Sequence, residues 1–67
     1  MYNFNLSIPE VSGLIDMWIF SERDRAILKR RIIDGICFEP LANEFGLSVT
    51  QTKTIVRKGL EIITKHI

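Results

Sequence analysis

Apolar residues change their period twice along the chain. Tyr2, Phe4, Leu6 and Ile8 alternate with Asn3, Asn5 and Ser7. A period of two belongs to extended backbone, so residues 1–8 are predicted to form an N-terminal arm. From Pro9 the period lengthens. Val11, Leu14, Ile15, Trp18 and Ile19 recur at three and four, predicting an amphipathic helix over 9–20 that opens on Pro9. Trp18 is expected in the core. Ser21 can cap the next helix, with Asp24 three residues on in the place of a capping-box Glu. Its core face is read as Ala26, Ile27, the stem of Arg30 and Ile33, and Gly35 ends it.

A third helix is predicted over Phe38 to Phe45, with Pro40 tolerated in its first turn. Leu41 and Phe45, four apart, share its buried face, and the small Ala42 permits a close crossing. Gly46 stands where a sharp turn needs a positive φ. Leu47 plugs the core, and Ser48 caps a last helix running from Val49 to about His66. Its buried stripe is Thr52, Ile55/Val56, Gly59, Ile62/Ile63 and Ile67. Gly59 costs about 1 kcal/mol against alanine inside a helix. The apolar period continues past it, which favours close crossing by another helix over a bend. The fold expected is all-α: a bundle of about four helices over 9–67 behind an extended arm. Helix, glycine turn and capped helix over 38–66 suggest a helix-turn-helix, with a plain helical hairpin as the alternative.

Composition agrees with one small globular domain: 67 residues, 46% hydrophobic. No apolar run approaches the ~18 residues of a membrane span, and no basic stretch opens a signal peptide. A lone Cys37 and a lone His66 leave neither an internal disulfide nor a metal site, and point to a reducing cytoplasm. Cys37 is read as a small buried or capping residue, and His66 as interacting with the dipole at a helix end. No phosphate loop, paired carboxylates or nucleophile–base pair appears. The chain is therefore expected to be no enzyme and to need no cofactor, metal or small-molecule substrate.

The formal net charge is only +1, but it is unevenly spread. Residues 21–37 hold five basic residues against three acidic ones, and residues 48–67 hold four against one. Residues 1–20 and 38–47 carry two acids each and no base. The second basic segment is the candidate recognition helix. With Thr52, Ile55 and Val56 facing inward, Val49, Thr50, Gln51, Lys53, Thr54 and Arg57 face outward. Gln51 suits adenine, and Lys53 and Arg57 suit guanine or phosphate. Thr50 and Thr54 suit a phosphate or a thymine methyl. Lys29, Arg30, Arg31 and Lys58 are candidate phosphate contacts.

From Ser21 to His66 the chain resembles the region-four DNA-binding domain of sigma-70-type bacterial sigma factors. The resemblance rests on Ser21 to Leu28, Gly35 to Ala42, Gly46 to Ile55 and Lys58-Gly59-Leu60. It implies base-reading positions at Val49, Thr50 and Lys53. Cys37, Pro40 and Thr52 depart from the family pattern, and an Arg-Glu-Arg cluster on the recognition helix is missing. With no core-binding region either, the expectation is a stand-alone regulator of bacterial or phage type that binds duplex DNA. The alternative is a protein-interaction module of the same fold that binds RNA polymerase or another transcription protein. A single module reads few bases, so a homodimer is expected, held by the arm or by Ile62, Ile63 and Ile67. The competing arrangement is a monomer whose arm folds back on its own helices.

Overall fold

A computed structural model describes residues 7–66. Four helices follow one another: α1 Ile8–Trp18, α2 Glu22–Ile32, α3 Phe38–Phe45 and α4 Val49–Thr64. Among the described residues there is no strand, and the principal extents are 29 × 21 × 16 Å. α2 and α4 each pack on all three other helices. The all-α bundle with a helix-turn-helix connection is the fold that the hydrophobic periods predict.

The first boundary moves. The helix opens at Ile8 rather than Pro9, because Ser7 acts as its N-cap. The Ser7 Oγ accepts from the Glu10 backbone N–H at 3.4 Å, and the hydroxyl donates to the Glu10 carboxylate at 3.1 Å. Of the last two residues of the expected arm, Ser7 therefore caps α1 and Ile8 opens it, and the first six lie outside the described residues. α1 stops at Trp18, two residues early, leaving Phe20 on the link to α2. There Arg25 donates to the Phe20 carbonyl at 3.3 Å.

The core is a single cluster of Val11, Ile15, Ile19, Ile27, Leu28, Leu41, Val56 and Ile63. Three expectations about it need correction. On α2 the buried pair is Ile27 and Leu28, while Ala26 and Ile33 are half-buried and Arg30 points to carboxylates. Trp18 is not core: it is half-buried and stacks on His66, ring centroids 3.6 Å apart and planes 1° from parallel. Ile62 is exposed rather than part of the buried stripe, and Ile67 lies outside the described residues. Charged neighbours blur a helical period, and Leu28 is preceded by five residues of which three are charged.

Gly59 has the close crossing expected of it. A Cβ built there would fall inside the Leu28 side chain, with Cδ2 at 2.8 Å and Cγ at 3.0 Å. Leu28 fills the space that a side chain at 59 would take. Thr52, fully buried on the same helix, keeps its hydroxyl satisfied by donating to the Ser48 carbonyl at 2.9 Å.

Candidate nucleic-acid interface

The interface begins with the turn. Gly46 adopts φ 66°, ψ 32°, a conformation that a Cβ makes costly. The Leu47 N–H bonds the Ala42 carbonyl at 2.9 Å and the Gly46 N–H bonds that of Asn43 at 3.3 Å. These two bonds are the pair that closes a helix C-terminus in the Schellman motif. Two residues on, Ser48 starts α4 with a reciprocal cap: its Oγ accepts from the Gln51 N–H at 3.1 Å, and its own N–H donates to Gln51 Oε1 at 3.0 Å. Gly46 thus ends one helix and Ser48 starts the next, with only Leu47 between them.

The capping box changes the role of Gln51. Its amide oxygen accepts from the helix start, which ties the side chain back to the turn and competes with the expected bidentate contact with adenine. Gln51→Ala should cost about 0.5–2 kcal/mol of stability. It should leave the ratio of specific to non-specific DNA affinity unchanged. Chemical denaturation beside a duplex competition assay checks both halves, and a changed ratio with unchanged stability would return Gln51 to base reading.

Other outward positions differ in how available they are. Thr50, Lys53, Arg57 and Lys58 are exposed, and Val49 and Thr54 are half-buried. The Thr54 hydroxyl donates to the Thr50 carbonyl at 3.0 Å, so its hydroxyl hydrogen is spent within the helix. Lys53 Nζ lies 5.7 Å from the centre of the Phe38 ring, and the Arg31 guanidinium lies over that ring at 4.2 Å. Phe38 thereby links the end of α2 to the face of α4. Beside it runs a shallow depression of about 310 Å³ whose walls include Lys53, Arg57, Leu60 and Glu61.

The cations of α2 are engaged elsewhere. Lys29 pairs with Asp16 at 2.7 Å. Arg30 pairs with Glu44 at 2.7 Å and with Asp34 at 3.1 Å. The Glu44 hydrogen bond, then that of Asp34, push the Arg30 pKa further above its already high value, so it is a cation at any accessible pH. Arg31 donates to the Ile36 carbonyl at 3.0 Å. Arg23 pairs with Asp24 at 3.1 Å. The structure therefore separates the ten candidate residues. Val49, Thr50, Gln51, Lys53, Thr54, Arg57 and Lys58 share α4, whereas Lys29, Arg30 and Arg31 lie on α2 among internal partners. Pair partners of this kind could not be read from spacing, because Asp16 and Glu44 come from other helices.

The sequence reading passed over the capping box and the Phe38 ring. The first was legible as Ser followed three residues later by Gln. The second had no local signal, since α2 and α4 meet over it only in the folded chain. Cys37 occupies the N-cap of α3, exposed and without a side-chain cap bond. Among the described residues no three His, Cys, Asp or Glu side chains converge in a way that could hold a metal, and no helix is long and apolar enough to cross a membrane.

No protein-family model matches the chain, and neither a curated protein nor a solved structure shows detectable similarity to it. The functional reading consequently rests on residues and geometry.

Proposed function

We propose that the protein binds duplex DNA through α4 and acts as a small transcriptional regulator. One observation carries this reading. Among the described residues, Lys53, Arg57 and Lys58 have no ion-pair partner, and all three lie on the helix that follows the turn. The only acid of α4 is Glu61. Of the α2 cations, Lys29 and Arg30 face Asp16, Asp34 and Glu44, Arg23 faces Asp24, and Arg25 and Arg31 donate to backbone carbonyls, whereas Lys53, Arg57 and Lys58 point their charge from one face of α4. Lys53 and Arg57, one turn apart, suit neighbouring phosphates or guanine edges. Thr50, Val49 and the Thr54 methyl suit apolar or hydroxyl contact with thymine. The rigid turn matters because base edges are read only from a fixed helix orientation.

Phosphate contacts release condensed counterions, so affinity should fall linearly on a log–log plot against salt. Each neutralised phosphate adds about 0.9 to the slope, and three free cations predict a slope near −3. A titration of duplex fragments between about 50 and 200 mM salt measures it. Absence of binding at the low end would overturn the DNA reading in favour of a module that binds RNA polymerase or another transcription protein.

A further inference from the structure

A groove of about 580 Å³ runs along α4 on the side away from Phe38. Its floor and walls are mainly apolar, with Trp18, Ile55, Ile62 and the His66 ring among them. Phe20 stands at its edge, 83% exposed, on the link that Arg25 ties down. Met17, 63% exposed, lies one turn back along the chain. The exposed ring and the apolar groove beside it make one contiguous patch, the kind of surface that marks an interaction site.

We infer that this groove receives a second copy of the chain, each copy inserting its Phe20 into the other's groove about a twofold axis. A twofold interface must be self-complementary, with knob and hole on one patch, and Phe20 beside the groove meets that condition. The charges agree. The rim carries Lys58 beside the exposed Arg23–Asp24 pair, so a twofold can set that pair of one copy against Lys58 and the matching pair of the other. A rim of one sign would repel its twin, and the net charge of +1 adds little long-range repulsion. The size of the patch sets the strength. The groove is lined by 13 residues. Standard stable interfaces use about 20–30 residues a side, so the dimer is weak and concentration-dependent. Association of this kind forms without DNA, and it brings Thr54 and Lys58 of α4, which also line the groove, beside the interface.

Sedimentation equilibrium of the full chain without DNA, from about 10 μM to about 1 mM, should show a monomer–dimer equilibrium, as expected of a small interface. Trp18 is the only tryptophan and lines the groove, so its emission should shift to the blue over the same range. Phe20→Lys, at an exposed site, should keep the helical circular dichroism. It should weaken association at least ~10-fold, because a charge would enter an apolar pocket. Ile62→Gln on the opposite wall should weaken it independently. A constant 7.8 kDa species throughout the range would overturn the inference. So would an association that ignores both variants. A Trp18 emission that is independent of concentration and changes only when residues 1–6 are deleted would overturn it too, assigning the groove to the chain's own N-terminus instead.

Discussion

Leu28→Ala should remove most of the stability of the protein. Leu28 is fully buried, it joins the central cluster, and it fills the gap left over Gly59. Truncating such a side chain costs about 2–5 kcal/mol, transfer and cavity together. A core in a chain of this length supplies on the order of 3–5 kcal/mol in total. Gly59→Ala should by itself be mildly destabilising. Helix propensity favours alanine by about 1 kcal/mol, but a methyl group pressed into Leu28 costs about 1–3 kcal/mol. The two changes should not add. In the double variant the methyl group introduced at position 59 enters space that Leu28 has vacated. The double should therefore be more stable than the sum of the singles by about 0.5–3 kcal/mol. Urea unfolding of the four proteins measures the cycle. Additive losses would mean that α2 and α4 do not meet at Gly59.

Lys53→Ala with Arg57→Ala should abolish most DNA binding while leaving the fold intact. Both side chains are exposed and without ion pairs among the described residues. Among the described residues the one aromatic contact involved, Lys53 over Phe38, is worth about 0.5–1 kcal/mol at an exposed site. Charge-assisted hydrogen bonds contribute about 1.5–3 kcal/mol each, so losing two should weaken binding on the order of 100-fold or more. The salt slope should become shallower by about 2. The comparison variant is Lys29→Ala with Arg30→Ala, which removes the same formal charge. It should change affinity little, because those cations are already matched by Asp16, Asp34 and Glu44. It should cost at most about 1 kcal/mol per exposed pair in stability. Equal losses from the two double variants would show that the charge of the whole domain, and not the face of α4, draws the DNA.

The number, type and approximate limits of the helices were legible without the structure, because they depend on local rules. Val11, Ile15 and Ile19 repeat at the helical period. Ser21 and Ser48 offer oxygens to unpaired N–H groups, and glycine at position 46 tolerates a φ of 66°. Gly59 in an unbroken apolar period likewise announced a close neighbour. The identity of that neighbour was not legible. Leu28 is 31 residues away and sits in the most charged helix, so only packing could select it over Ala26 or Ile33. The same limit governs the candidate interface. Composition located two basic segments but could not rank them, because formal charge ignores partners. The ranking came when Asp16 from α1 and Glu44 from α3 were brought against Lys29 and Arg30, leaving α4 uncompensated. Trp18 shows the limit at the surface. Its spacing is that of a core residue, but α1 ends at it, and the ring stacks on His66 from the far end of the chain. Local propensity is written in neighbouring residues, whereas pairing across helices belongs to the folded arrangement alone.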